Sequence, residues 1–437
     1  MVDKGRQNKV GHMPRPNLLY TRKKFMKRVL FVTTISGFLP QFEKNDVKLL
    51  KQMGCQIHYA SNFTNPIYAF DKTELEQNGV ALHQIDIEKS PAKINKNIKA
   101  IKQLIKIIDE NDIDIVHGHN PMGGVAARIA ARAGKRKPKV IYTAHGFHFY
   151  KGAPIMNWLL FYTVERFLAR YTDIIVTINR EDYIRAKKFR LKKNGEVYLI
   201  HSVGVDKEKF APRPELRETK RAELGIPADA FHIVTAAELN ENKNQKVVIE
   251  AVAALTNKAK TDANAYNTNY AGNADYVSNT NCIDKTNKTH NIYYTICGKG
   301  PNEDKLRELI KAYGLENNVS LLGYRTDMDE ILQTADVFAF PSIREGLGVA
   351  AIEALMCNVP LIAADNRGTR EYASDGNNGI VCRYDAVDEF EEAIELLYGN
   401  TAYRKRMADR CRESVKKFTI EEVEKTMTKV YTRALGE

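Results

Sequence analysis

The chain has 437 residues, of which 43% are hydrophobic and 27% charged, which is typical of a globular protein large enough for two domains. No apolar run approaches the roughly 18 residues of a membrane span, and the six cysteines form no CxxC pair, so neither a membrane-spanning segment nor a cysteine zinc site is indicated. The net charge is +12, but residues 1–212 hold 37 Lys+Arg and 19 Asp+Glu, a net of +18, which leaves −6 for the remainder. A basic half suits an anionic partner, such as a lipid surface, a phosphorylated acceptor or nucleic acid.

Apolar strand-like runs alternate with helix-like segments along most of the chain. The first 25 residues are basic without an apolar core, and we predict a mobile tail there. The first series of strands then follows as RVLFV, CQIHYAS, DIVHGH, KVIYTAH, DIIVTI and EVYLIHS, and the second as FHIVTAAEL, IYYTICGKG, VSLLGY, DVFAFPS and VPLIAAD. This alternation predicts an α/β protein with two doubly wound domains, at 26–205 and 206–417. Residues 258–291 are rich in Asn, Thr and Ala, which predicts a disordered surface insertion.

The candidate site residues follow predicted strands, where open α/β sheets bind their ligands. The segment FPSIREGLGVAAIEALMCNVP begins at Phe340 and predicts a strand, a glycine-containing loop and a helix that starts near Gly348. A helix N-terminus suits a diphosphate because it presents free N–H groups and partial positive charge. Glu345 in the loop is placed to accept hydrogen bonds from sugar hydroxyls, and Glu353 in the helix from a ribose diol. Two glutamates at this spacing are also common on ordinary helices.

The same segment is similar to the signature of retaining glycosyltransferases of family 4, which have the GT-B fold of two Rossmann-like domains facing a central cleft. The matching residues include Pro341, Ser342, Gly346, Ala354 and Pro360. The chain departs from the family pattern at Asn358, where glycine is usual, and at 366–368, where a glycine pair is common. The resemblance covers about residues 25–437 apart from the insertion. It implies that the helix at 418–437 crosses back to the first domain.

The resemblance also implies site residues in both domains. In the second domain it implies that Lys243 in AAELNENKNQ neutralises the leaving diphosphate. It also implies donor contacts from a glycine loop, CGKGPNEDKL, from a base-reading segment, LLGYRTDMDEIL, and from the signature segment. The residues concerned are Gly298 and Gly300 in the first, Tyr324 and Arg325 in the second, and Glu345, Gly346, Leu347, Gly348 and Glu353 in the third. The arginine that the family often has five residues before the lysine is Glu238 here. In the first domain it implies Gly37 near the donor phosphates or the acceptor, and His119 beside the reacting sugar. His117, His145 and His148 are the predicted acceptor-side residues. We take His119, Lys243 and Glu345 as the catalytic set.

Neither DxD pattern is placed to hold a metal. Asp112 and Asp114 open a strand, and Asp327 and Asp329 begin a helix, where acidic residues act as caps. We therefore expect no metal site and no cofactor. Retention without an obvious carboxylate nucleophile suggests front-face attack, in which the departing phosphate takes the acceptor proton, a step that is inherited from the family.

The predicted function is transfer of a sugar from a nucleotide diphosphate-sugar, with UDP favoured over GDP, to a membrane-associated acceptor. The resemblance to bacterial capsule and exopolysaccharide enzymes suggests a polyprenyl-diphosphate-linked saccharide as this acceptor. We expect a cytoplasmic protein, peripheral at the inner face of the membrane, with no nucleic-acid partner. Isoleucines and lysines repeat at helical spacing in INKNIKAIKQLIKII, which fits either an interfacial helix or a core-packed one, and PIMNWLLFYTVERFLARY is a second candidate membrane contact. A nucleotide-sugar 2-epimerase on the same fold, or a non-catalytic partner in a polysaccharide assembly complex, are the alternatives.

Overall fold

The computed structural model describes residues 26–64, 71–201, 203–270 and 291–436. The predicted tail at 1–25 and residues 271–290 of the predicted insertion lie outside this part of the chain. The described residues form two parallel sheets, each flanked by helices, as the strand alternation predicts.

The first sheet has seven parallel strands in the order β3-β2-β1-β4-β5-β6-β7, the doubly wound order with a switch point between β1 and β4. Its strands are β1 Arg28–Val32, β2 Gln56–Ser61, β3 Val80–Gln84, β4 Ile115–His119, β5 Lys139–Ala144, β6 Ile174–Thr177 and β7 Glu196–Leu199. Its helices are α1 Phe38–Phe42, α2 Lys44–Gln52, α3 Lys72–Gln77, α4 Ile94–Glu110, α5 Pro121–Ala133, α6 Ile155–Asn157, α7 Thr163–Leu168 and α8 Arg180–Ala186, with one π-helical turn at Trp158–Tyr162.

The second sheet has six parallel strands in the order β10-β9-β8-β11-β12-β13, which repeats the same winding. Its strands are β8 Phe231–Ala236, β9 Ile292–Cys297, β10 Val319–Gly323, β11 Val337–Phe340, β12 Leu361–Ala364 and β13 Gly379–Cys382. Its helices are α9 Arg217–Glu223, α10 Gln245–Tyr270, α11 Glu303–Ala312, α12 Met328–Thr334, α13 Val349–Met356, α14 Val387–Gly399 and α15 Thr401–Ser414, followed by α16 Ile420–Leu435. Because α10 continues to Tyr270, the first part of the predicted insertion is helical, and its prediction as a disordered loop is wrong there.

The last helix joins the two domains. The backbone of Val205 exchanges hydrogen bonds with Phe418 and Ile420, at 2.8 and 3.1 Å. Helix α16 then packs on α2, where the Tyr431 hydroxyl donates to Asp46 Oδ2 over 2.6 Å. The chain therefore returns to the first domain after completing the second.

Most of helix α4 packs against the core of the first domain, which is one of the two alternatives that its sequence leaves open. Its buried side chains, Asn97, Ala100, Leu104 and Ile108, face the first core, and Ile101 and Ile105 pack against that core. Ile94 and Ile98, near the start of the helix, remain exposed. Most of this helix is therefore an ordinary core-packed helix with a lysine-rich outer side.

Candidate active site

The carboxyl ends of the two sheets meet at the signature loop between β11 and α13. A side chain at Gly346 would collide with the backbone oxygen of His145, 2.3 Å from an ideal Cβ, so the loop and the end of β5 approach backbone to backbone. Asn179 Nδ2 donates to the Gly346 carbonyl over 3.2 Å, from the first domain to the second. This contact lies at the edge where the predicted site residues of both domains converge.

Two loops of the second domain hold Glu345 and Lys243 together. Asn242 accepts a hydrogen bond from Ile343 N at 2.8 Å and donates its side-chain amide to the Arg344 carbonyl at 2.9 Å, which ties the β8–α10 loop to the signature loop. Lys243 Nζ then lies 2.5 Å from Glu345 Oε1, and both side chains are largely buried. A lysine and a carboxylate are thus placed side by side just before α13.

The N-terminus of α13 has no side-chain cap. Gly348 precedes the helix with a φ of +96°, and no side chain caps it. An ideal Cβ on Gly348 would lie 2.6 Å from the Phe340 ring, so glycine is required both by backbone angle and by space. The partial positive charge of this helix end faces the loop that carries Glu345 and Gly346. Leu347 is buried and anchors the loop.

Glu353 lies one turn inside α13 in a desolvated environment. Burial raises its pKa from 4.5 to about 7, while Lys209 lowers it and Asp329 raises it. A carboxyl poised near neutrality accepts hydrogen bonds most strongly when it is ionised. Glu353 is thus a desolvated carboxyl group inside α13, and the ribose contact that the sequence assigns to it stays a prediction.

The glycine loop has a structural reason that the sequence did not reveal. An ideal Cβ on Gly298 would lie 1.8 Å from the Ala237 carbonyl oxygen, and one on Gly300 would lie 2.3 Å from that of Leu239. These glycines therefore let the loop pack on the β8–α10 loop, and their close approach to the donor is not needed to explain them. Tyr324, by contrast, is 69% exposed, and the Arg325 guanidinium is paired with Asp327. The contact of this segment with a nucleobase stays a prediction.

Both departures from the family signature have a physical explanation. Asn358 adopts a φ of +60°, the left-handed conformation that the usual glycine supplies and that asparagine tolerates best among other residues. Arg367 donates to the Glu345 carbonyl at 3.2 Å and to Asp182 Oδ1 of the first domain at 3.1 Å. Asp182 is fully buried, so an arginine in place of glycine adds a buried ion pair between the domains.

In the first domain, β4 and β5 end on a cluster of buried titratable side chains. His119 Nδ1 lies 3.1 Å from His145 Nε2 and 3.4 Å from Glu43 Oε1, and the latter oxygen is 3.5 Å from His145 Nε2. Burial lowers the pKa of each histidine to about 3 and raises the pKa of Glu43 to about 8. His119 Nε2 is buried with no hydrogen-bond partner. Nε2 is therefore the nitrogen of His119 whose hydrogen-bonding capacity is unused in the described structure.

The prediction of His117 as an acceptor-side residue is corrected by the structure. Its ring is fully buried, with Nδ1 3.1 Å from the Tyr431 hydroxyl and Nε2 2.8 Å from Thr143 Oγ1. Both nitrogens are therefore engaged, and His117 helps to seat α16. Gly37 is buried at the start of α1, beside the β1 strand end. His148 packs on Phe161 with ring centroids 4.8 Å apart, and burial, followed by the nearby Arg344 and Arg367, lowers its pKa.

The two DxD patterns are occupied by basic side chains. Asp112 and Asp114, ahead of β4, both pair with Arg136, at 3.2 and 3.1 Å. Asp327 pairs with Lys220 at 2.6 Å, and Asp329 with Arg213 at 2.5 Å. All four carboxylates therefore have cationic partners within the protein.

The strand ends, the uncapped start of α13 and the Lys243–Glu345 pair lie together where the two domains meet. Comparison with known proteins identifies the family. Residues 28–179 match the family model described as "Glycosyl transferase 4-like", and residues 217–414 match "Glycosyl transferases group 1". The "Putative glycosyltransferase EpsD" of Bacillus subtilis is 36% identical over 93% of this chain and 96% of its own length. The chain belongs to the family 4 type of GT-B glycosyltransferases.

Two further relatives extend the comparison. The "UDP-Gal:alpha-D-GlcNAc-diphosphoundecaprenol alpha-1,3-galactosyltransferase" of Escherichia coli is 28% identical over 68% of this chain and 70% of its own length. The crystal structure of Anabaena Alr3699/HepE in complex with UDP and glucose superposes with a TM-score of 0.68, covering 93% of this chain and all of the other, at 18% identity. That likeness shows the GT-B fold.

Proposed function

We propose that this glycosyltransferase moves a hexose from UDP-hexose, with retention of anomeric configuration, to a polyprenyl-diphosphate-linked saccharide in exopolysaccharide or capsule assembly. The observation that carries the proposal is the Lys243–Glu345 pair, 2.5 Å apart ahead of the capless α13 and directly across from the end of β5. UDP as carrier is supported by the UDP complex of the Anabaena protein, and a lipid diphosphate as acceptor by the diphosphoundecaprenol substrate that the name of the Escherichia coli relative gives.

In this proposal the donor lies on the second domain. The diphosphate meets the α13 N-terminus and the Lys243 ammonium, which act on the charge that develops as the phosphate departs, so no metal is needed there. Glu345 accepts hydrogen bonds from the sugar, and Glu353 from the ribose. His119 presents its free Nε2 to the reacting sugar from the opposite domain. The 2-epimerase and the non-catalytic partner are not favoured by the relatives.

We place the acceptor on the first domain, at a membrane surface. Five apolar side chains on α6, the π-helical turn and α7 form an apolar patch in which each is 49–70% exposed: Ile155, Met156, Leu159, Leu160 and Phe167. The patch adjoins the cleft, because Asn157 donates to the His148 carbonyl and Phe161 packs on the His148 ring. Among the described residues, no helix has the length and apolar character needed to cross a bilayer. We propose that the patch and the basic charge around it hold the domain on the anionic inner face of the cytoplasmic membrane.

The two glutamates provide the sharpest test of donor placement. Glu345→Ala should keep its affinity for UDP and lose most transfer, because the sugar contact is absent from UDP. Glu353→Ala should weaken UDP binding by about 1–3 kcal/mol, the usual loss for hydrogen bonds to a charged group. Calorimetry with UDP and a transfer assay measure both effects. Glu241→Ala, in an exposed pair with Lys305, is the matched control and should change neither. The opposite pattern in the two variants would show that the assigned contacts are reversed.

Vesicle binding tests the membrane face. Leu159→Ser combined with Leu160→Ser should weaken binding to anionic vesicles at least tenfold, because two exposed apolar side chains no longer enter the interface. Transfer to a soluble acceptor analogue should survive. Leu396→Ser, an exposed leucine on α14 of the second domain, is the control. Equal vesicle binding by the wild type and the Leu159/Leu160 double variant would refute this placement of the membrane.

A further inference from the structure

The cluster of Glu43, His119 and His145 has a geometry that its hydrogen bonds do not explain. Its three facing atoms form a nearly equilateral triangle with sides of 3.1, 3.4 and 3.5 Å. In a hydrogen-bonded network the polar atoms pair with donor–acceptor distances of about 2.7–3.2 Å. Only one side of this triangle is that short, and Glu43 Oε1 is buried without a hydrogen-bond partner. Three potential ligand atoms at nearly equal spacing fit coordination of one central ion better than they fit a set of pairwise hydrogen bonds.

The triangle has the size of one face of a tetrahedral zinc site. Zinc binds histidine nitrogen at about 2.0–2.1 Å and carboxylate oxygen at about 2.0–2.2 Å, so tetrahedral geometry separates its ligand atoms by about 3.3–3.4 Å. Two histidines and a glutamate are also a common zinc ligand set that leaves a fourth position open. Magnesium and calcium prefer all-oxygen shells, which this cluster does not offer.

The surroundings resemble the outer shell of a metal site. The carboxyl group of Asp46 is hydrogen-bonded to that of Glu43, and the Tyr431 hydroxyl donates to Asp46 Oδ2 at 2.6 Å. Asp46 and Tyr431 thus hold the Glu43 side chain in position. Phe38 packs against both histidines, with ring centroids 4.9 Å from His145 and 5.9 Å from His119. Within the described part of the chain, no lysine or arginine forms an ion pair with Glu43 or Asp46. These two buried carboxyl groups therefore have no lysine or arginine partner among the described residues.

We propose that Glu43 Oε1, His119 Nδ1 and His145 Nε2 bind a divalent transition-metal ion, zinc by preference. Coordination through Nδ1 places the remaining imidazole proton of His119 on Nε2. The ion is then a positioning element that keeps Nε2–H a hydrogen-bond donor directed away from the cluster. It is separate from the donor diphosphate, which lies on the second domain in the proposed function, and its binding can be measured without any transfer assay.

The test uses the full chain, stripped with a zinc chelator and titrated with Zn²⁺ and, separately, Co²⁺. Wild-type protein should take up one Zn²⁺ per chain, and the Co²⁺ form should show the intense visible absorption of four-coordinate cobalt. Glu43→Gln and His145→Gln should each lower Zn²⁺ affinity at least about 100-fold, since each removes one of three ligands. UDP affinity, measured by calorimetry on the same samples, should stay at the wild-type value with or without zinc.

A second histidine pair supplies the matched control. His58 Nδ1 and His83 Nε2 lie 2.9 Å apart with stacked rings on β2 and β3. His83→Gln should bind Zn²⁺ like the wild type. Zinc binding that is absent from wild-type protein, or equal in wild type, Glu43→Gln and His145→Gln, would overturn the proposal. Thermal unfolding of the metal-free proteins checks that both ligand variants are folded, and a His119→Gln variant with the same loss of zinc provides an independent third ligand test.

Discussion

The buried Arg367–Asp182 pair predicts a measurable coupling between the domains. Arg367 Nη1 lies 3.1 Å from Asp182 Oδ1, with side-chain exposures of 7% and 0%. Breaking a buried pair by removing one partner costs about 3–5 kcal/mol. Asp182 Oδ2 keeps two other donors, Phe147 N and Asn179 Nδ2, each at 2.9 Å. We therefore expect Arg367→Gln to lower the free energy of unfolding by about 3 kcal/mol, near the lower end of that range.

Urea denaturation of four proteins measures this energy: the wild type, Arg367→Gln, Asp182→Asn and the double variant. The coupling energy from this cycle should reach at least about 1.5 kcal/mol, within the range for residues in direct contact. Arg370→Gln is the control, because Arg370 pairs with Asp365 in the same loop but both side chains are exposed, at 57% and 44%. That change should cost no more than about 1 kcal/mol.

The pH dependence of the loss adds a diagnostic with a definite sign. Burial raises the pKa of Asp182, and Arg367 opposes that rise. Without Arg367 the folded-state pKa moves further above the unfolded value, so the variant loses stability as pH rises and regains it when Asp182 is protonated. The gap between wild type and Arg367→Gln should therefore be smaller at pH 5 than at pH 8. A coupling energy near zero, or a gap independent of pH, would show that the domains are not joined by this pair in solution.

Three further predictions follow from the donor side and the insertion. Burial raises the pKa of Glu353 to about 7, so UDP affinity of the wild type should rise up to about tenfold from pH 6 to pH 8, relative to that of Glu353→Gln. The Glu353→Gln profile corrects for the titration of the UDP phosphate. Parallel calorimetric profiles of the two proteins would contradict a ribose contact. UDP affinity should be equal in EDTA and in Mg²⁺, because Lys243 and the α13 N-terminus neutralise the diphosphate; a strict Mg²⁺ requirement in calorimetry would refute this. Replacing residues 271–290 by a short Gly/Ser linker should leave transfer intact, since their composition is polar, and loss of turnover in a folded variant would assign them a function.

Much of the architecture follows from local sequence pattern. Strands buried on both faces, such as β1 and β11, read as apolar runs followed by turn residues, so their order along the chain predicts two parallel sheets. The pattern missed two strands, β3 and β13, each at one edge of its sheet, although it predicted β7 and β10 at the opposite edges. The sequences of the missed strands, VALHQ and GIVC, are partly polar or short, and only pairing with β2 and β12 identifies them.

The signature loop shows how far a motif reaches. Glu345, Gly348 and Glu353 take the predicted places around the start of α13, because a strand, a glycine turn and a helix are local structures. The sequence also marks Lys243 by its own loop. Their contact depends on Asn242, which ties two loops that are 102 residues apart in the chain.

What the tertiary structure alone decided are the contacts between residues distant in sequence. Glu43 follows a short helix and carries no motif, yet the switch point between β1 and β4 brings it to His119 and His145. In the sequence, Arg367 appears only as the loss of a usual glycine. The structure shows that it contacts Asp182, a residue 185 positions earlier in the chain. The sequence predicts His117 as an acceptor-binding residue. In the structure its Nδ1 is hydrogen-bonded to Tyr431, which lies 314 positions later in the chain. Periodicity and motifs report each residue's local conformation, whereas burial and partners are set by the packing of elements that the local sequence does not encode.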